Sequence, residues 1–169
     1  MKTRIISLLI FFSCFVFGCE KLDTYNPEVE NYIDLLKSGS YDSWELPEFC
    51  TSDIPALLKY RNDTLMITDF PHNGLSSLWG PDCKLGMYVL WTIESIRAVE
   101  INSEYLSWGR FPSLNPILAY RDSPEHELIS DEESHTVAAK AYYDWWHSFP
   151  VFKNKMDIDP LAKTLYKWH

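Results

Sequence analysis

Hydrophobic residues recur at helical spacing in five parts of this chain, and turn-forming residues dominate the stretches between them. Asn26-Pro27-Glu28 is a helix start, with an Asn cap, a first-position proline and an acid in the first turn. Val29, Ile33 and Leu36 follow on one face, and Gly39 ends the helix. Ser52-Asp53 caps a second helix carrying Pro55, Leu57, Leu58 and Tyr60. From Cys83 to about Asn102, Leu85, Tyr88, Leu90, Trp91, Ile93 and Ile96 cover nearly every direction, the pattern of a buried helix. Ser130 with Glu133 is a capping box opening a fourth helix to about Ser148, stopped by Pro150. A short last helix begins at Pro160, with Leu161, Leu165 and Trp168 on one face. Residues 62–82 are rich in Asn, Gly and Pro, with Leu65-Met66-Ile67 as a short strand inside them. Residues 103–130 are too long for a structureless loop, and two apolar runs flanking Asp122-Ser123-Pro124 predict a small β-hairpin near 117–129. The expected fold is therefore mainly α, an antiparallel helical domain of about five helices around a buried central helix 83–102.

The first residues carry a different pattern. Lys2 and Arg4 precede an uncharged apolar run over residues 5–17, too short for the roughly 20 residues that span a bilayer and laid out as a secretory leader. Val16-Phe17-Gly18-Cys19 resembles the lipobox of bacterial lipoproteins, in which the cysteine sulfur receives a diacylglyceryl group and the new amine is acylated after cleavage. Cys14 is a competing site, and an ordinary secreted protein is the alternative. The expected division is a signal peptide over 1–18, a lipidated tether over 19–25 and a single helical domain over 26–169. More than one acyl chain suffices for stable anchoring. The lipid bilayer is then one partner, and the address is the bacterial cell envelope, anchored to the outer membrane, with the periplasmic and surface-exposed sides both open.

Removing residues 1–18 takes two of the 15 basic residues and none of the 24 acidic ones, so the net charge moves from −9 to −11. Nucleic-acid binding needs clustered Lys and Arg and is disfavoured; a basic protein partner suits the charge. Cys50 and Cys83 remain in a compartment that permits disulfides. A bridge between them closes about 33 residues and contributes roughly 3.7 kcal/mol on the chain-entropy reckoning. Their positions before successive antiparallel helices argue against it.

Leu46-Pro47-Glu48-Phe49, Asp53-Ile54-Pro55-Ala56-Leu57-Leu58, Leu85-Gly86-Met87-Tyr88-Val89-Leu90-Trp91-Thr92-Ile93-Glu94 and Ser134-His135-Thr136-Val137-Ala138-Ala139-Lys140-Ala141-Tyr142-Tyr143-Asp144-Trp145-Trp146 resemble a family of small uncharacterised lipoproteins of Bacteroidetes-type bacteria. The resemblance implies no assigned activity and carries no catalytic residue. A weaker likeness to HEAT-type helical pairs implies a short helix over 53–58 packed beside the longer one that follows.

Candidate chemistry is sparse. Glu94 falls on an apolar face of its helix, with Arg97 three residues on as a partner; an unpaired carboxylate there marks a functional acid. His135 shares a stripe with Ala139, Tyr142 and Trp146, which suits acid/base work, stacking against a sugar, or a core histidine. Glu125-His126-Glu127 and Asp131 to His135 concentrate acids and histidines without a zinc or calcium spacing, so no metal and no cofactor is implied. Nucleophile elbows and phosphate loops are absent from the sequence. Trp79, Trp108, Arg110, Phe111, Tyr120 and Arg121 lie in the two long connections, and Arg with Trp or Tyr is typical of interface anchors.

Three functions compete on this reading. The first is a non-catalytic binding module for an envelope protein or glycan, using those loops. The second is an envelope hydrolase that pairs Glu94 with His135. The third is an acidic, immunity-like inhibitor of a basic partner.

Overall fold

The computed structural model describes residues 25–78, 80, 82–123, 127–148 and 154–169. The leader, Cys19, Trp79, Glu125, His126 and the helix stop at Pro150 lie outside the described residues.

The cap signals around the first helix act as the sequence implies. The Asn26 side chain accepts the backbone N–H groups of Glu28 and Val29 and opens α1 (Pro27–Ser38). Gly39, at φ 64°, closes it in the left-handed conformation that glycine adopts without a Cβ penalty. Val29, Tyr32, Ile33 and Leu36 are buried, and the Tyr32 hydroxyl meets Thr92 Oγ1 at 3.0 Å in the core.

The central helix α3 (Leu85–Glu100) is the best-sheltered element, with 13 of its 16 residues buried. Its entry needs a glycine. Gly86 N–H donates to the Asp63 carbonyl at 2.8 Å, and a Cβ at this position would stand 2.6 Å from both the Arg61 carbonyl and His135 Nε2. α4 (Glu132–His147) packs along α3. Its cap is Asp131 rather than Ser130, since Asp131 Oδ1 accepts the Ser134 N–H at 2.7 Å. Among the described residues, no helix is long and apolar enough to cross a membrane.

The mainly α expectation is wrong: the fold is mixed α/β. Strands β1 (Met66–Ile67) and β2 (Cys83–Lys84) pair antiparallel, Met66 opposite Lys84 and Ile67 opposite Cys83. A three-stranded antiparallel sheet has the order β4-β3-β5, with β3 (Leu118–Tyr120) paired to β4 (Leu128–Ile129) and to β5 (Tyr166–Trp168). The hairpin forecast near 117–129 thus corresponds to β3 and β4. The fifth helix does not form. Turns follow Asp159, whose carboxylate accepts the Leu161 N–H at 2.8 Å, and the chain then extends as β5. A helix of nine residues is marginal alone, whereas pairing with β3 satisfies this backbone and buries Tyr166. Leu165, expected on the buried face, is 68% exposed.

The second expected helix is also reduced. It consists of a 3-10 turn over Thr51–Asp53, a single α turn α2 (Ile54–Leu57) and a 3-10 turn over Leu58–Tyr60. One turn of α-helix is no partner of HEAT type for α3, so that likeness fails in the fold.

Candidate functional site

A cleft of about 400 Å³ opens where β1 and β2, residues 70–72, residues 115–117, β4 and the first turn of α4 converge. Its exposed walls are chiefly apolar, with Met66, Phe70, Met87, Ile117, Leu128 and Ile129, and polar side chains including Asp82, Lys84, Ser134 and His135 stand among them. That composition is the usual one for a small-ligand site. Both long connections reach it, the first through His72, Leu78, Gly80 and Asp82 and the second through Asn115, Pro116 and Ile117.

His135 lines the cleft and is only 4% exposed. Its Nε2 lies 2.8 Å from the Arg61 carbonyl, and a carbonyl only accepts, so Nε2 carries the proton. Burial lowers the pKa of the ring, helped by the Lys84 charge and opposed by the Arg61 carbonyl and Asp63. The neutral imidazole then keeps its lone pair on Nδ1.

Three polar side chains near it, Lys84, Ser134 and Cys83, meet backbone carbonyls. Lys84 Nζ donates to the carbonyls of Ser130 and Asp131, and Ser134 Oγ donates to the Asp131 carbonyl at 3.1 Å. Cys83 Sγ points to the Pro116 carbonyl at 3.7 Å, and burial pushes its pKa up to about 12. A thiol so shifted is not a nucleophile at neutral pH. The cleft therefore presents a neutral imidazole beside a hydroxyl and a thiol that both meet backbone carbonyls.

Glu94 does not line this cleft. Its carboxylate takes the Arg97 Nε–H between its two oxygens at 3.0 Å each, accepts Arg97 Nη2 at 2.5 Å, and accepts the Tyr142 hydroxyl at 2.7 Å. Trp168 Nε1 donates to the same hydroxyl at 2.8 Å, and Arg97 Nη1 to the Met156 carbonyl at 2.9 Å. The network ties α3, α4, β5 and the 3-10 turn Lys155–Asp157 together. Tyr142, which holds Glu94, lies seven residues beyond His135 on α4, about 10 Å along the axis. The Glu94–His135 pair that a hydrolase requires is not brought together.

Most of the expected loop anchors turn inward. Phe111 is buried and stacks on Trp91 with ring centroids 5.4 Å apart. Arg110 Nη2 donates to the Phe49 carbonyl, and Arg121 Nη2 is shared by Asp159 and the carbonyls of Leu161 and Tyr166. Tyr120 is half-buried in β3 beside Tyr166. Trp108 alone among the described anchors faces solvent. Its partner is Trp44, which sequence reasoning missed although it stands in the polar run Ser43-Trp44-Glu45 with no apolar stripe to join.

Cys50 and Cys83 are both free, Cys50 exposed and Cys83 buried in β2, so the bridge is not formed. Among the described residues, no group of three or more His, Cys, Asp and Glu is placed to hold a metal ion.

The chain belongs to the family described as Domain of unknown function (DUF4943), whose profile matches residues 23–169. No curated protein and no solved structure matches it.

Proposed function

We propose that this DUF4943 protein is a lipid-anchored, non-catalytic binding module of the bacterial cell envelope, held at the outer membrane by acylated Cys19, with the cleft beside α4 as its ligand seat. The carrying observation is the cleft itself: a recess whose exposed surface is chiefly apolar, at which both long connections meet. Supporting the non-catalytic reading, Ser134 is bonded to backbone, the Cys83 thiol stays protonated, and Glu94 is bound into a distant network. The lipobox-like Val16-Phe17-Gly18-Cys19 supports the anchor.

The apolar fluorophore N-phenyl-1-naphthylamine, titrated into residues 20–169, tests the seat. It should bind with a saturable rise in emission, and Ile117→Trp, which fills the cleft, should abolish that rise. Undiminished binding by the filled variant would remove the cleft from consideration. In cells, Cys19→Ala should lose incorporation of labelled palmitate, and retained labelling would refute the anchor.

A further inference from the structure

Away from the cleft, two segments without helix or strand bring a pair of indoles to the surface. Trp44 is 70% exposed and Trp108 68% exposed, and their rings meet edge to face, with centroids 4.8 Å apart at 75°. Exposure on this scale forgoes much of what burial of such large side chains would contribute.

The pair is fixed in place by backbone. Leu46 N–H donates to the Gly109 carbonyl at 3.0 Å, and the Arg110 guanidinium donates to the Phe49 carbonyl at 3.2 Å, stapling the two segments together. The turn beneath Trp108 is strained. Gly109 has φ 82° and Arg110 φ 65°, and a side chain at Gly109 would meet the Phe111 ring at 2.7 Å. A left-handed residue other than glycine costs about 1–2 kcal/mol. The Ser107–Phe111 pairing and a bond from Ser95 Oγ to the Arg110 carbonyl maintain that conformation. A rigid support thus holds both rings out in solvent.

Beside Trp44 lies an open hollow lined by Ser40, Tyr41, Asp42, Ser43 and Asp69. Hydroxyls and carboxylates, rather than aliphatic side chains, line this hollow together with Trp44, and Trp108 adjoins it through its contact with the Trp44 ring. We infer that Trp44, Trp108 and this hollow form a second site, which takes a neutral pyranose ring of a glycan chain. The C–H face of a pyranose carries partial positive charge and meets the negative face of an indole. Its equatorial hydroxyls then donate to the carboxylates of Asp42 and Asp69, and the Ser40 and Ser43 hydroxyls, whose protons go to the Ser38 and Glu45 carbonyls, serve as acceptors. An apolar protein surface would leave those polar groups unpaired. Charge selects within sugars: Asp42 and Asp69 in the hollow, with exposed Glu45 next to Trp44 in sequence, repel uronic and sialic acids. The nearby cation, Arg110, is turned to the Phe49 carbonyl.

Affinity electrophoresis of the mature chain carrying Cys19→Ala, through gels containing laminarin, amylopectin, galactomannan or polygalacturonate, tests the inference. At least one neutral polysaccharide should retard the protein, and polygalacturonate should not. Trp44→Ala and Trp108→Ala should each weaken the retardation roughly tenfold, the scale of one lost aromatic contact, while Trp108→Phe keeps most of it. Ile117→Trp should leave it unchanged, so failure at either site is distinguishable from failure at the other. Passage unretarded through all three neutral gels, equal retardation of the Trp44→Ala variant, or equal retardation by polygalacturonate would overturn the inference. So would photocrosslinking from position 108 to a protein partner in cells, coupled with unretarded migration.

Discussion

Replacing Glu94 with alanine separates a structural acid from a catalytic one. The carboxylate receives Arg97 through Nε and Nη2 and the Tyr142 hydroxyl besides, and the two charged side chains are only 9% and 12% exposed. Deleting one partner of a buried pair leaves the other charge uncompensated, a cost of about 3–5 kcal/mol. Set against a total stability of roughly 5–15 kcal/mol, the loss is a large fraction. At about 2–4 °C per kcal/mol for a domain of this size, the melting temperature should fall by about 6–20 °C. Equilibrium urea unfolding, followed by tryptophan fluorescence and far-UV circular dichroism, measures the same quantity directly. The double variant Glu94→Leu with Arg97→Met removes both charges together and should recover much of the loss, giving a coupling energy above about 1 kcal/mol. A single-variant cost below 1 kcal/mol, or a double variant whose cost is the plain sum, would refute the view of this network as a structural tie.

Three helices were legible because their signals are local. Asn26-Pro27 and Gly39 bracket α1 at the positions where backbone groups need side-chain or left-handed partners. The all-round apolar pattern of residues 85–100 marks the element with protein on every side. The strands were harder to read because each is two or three residues long, too short for alternation to register. β5 is the clearest case: the spacing of Leu161, Leu165 and Trp168 fits a helix, yet pairing with β3, more than forty residues earlier, decides the conformation. Such a partner has no local trace.

The same division runs through the sites. His135 stood out by its place on an aromatic stripe, but its role rests on the Arg61 carbonyl and the missing Cβ of Gly86, both supplied by distant chain. Met66 and Met87 line the recess without any signal in the sequence to mark them for it. Arg110 and Arg121 looked like anchors in an acidic chain. Backbone carbonyls, which composition cannot weigh, take up their guanidinium groups.

Further outcomes test the packing around the cleft. Gly86→Ala places a methyl group 2.6 Å from the Arg61 carbonyl and should cost about 2–4 kcal/mol in urea unfolding; a loss below 0.5 kcal/mol refutes the close approach. In folded residues 20–169 one thiol, exposed Cys50, should react with Ellman's reagent, and Cys83 should follow only on unfolding; two fast thiols, or none, contradict this. His135 supplies a pH signature. Burial depresses its folded pKa, so as pH falls through about 6.5 the unfolded ring takes up a proton first. The stability it contributes is complete above that pH and is lost as the pH drops through the folded value. The stability difference between the parent chain and His135→Gln, measured by urea unfolding, should therefore shrink between about pH 7.5 and pH 5. Both proteins keep His72, so its titration cancels in the comparison; a difference that stays constant or widens on acidification would show that His135 is not held neutral by burial.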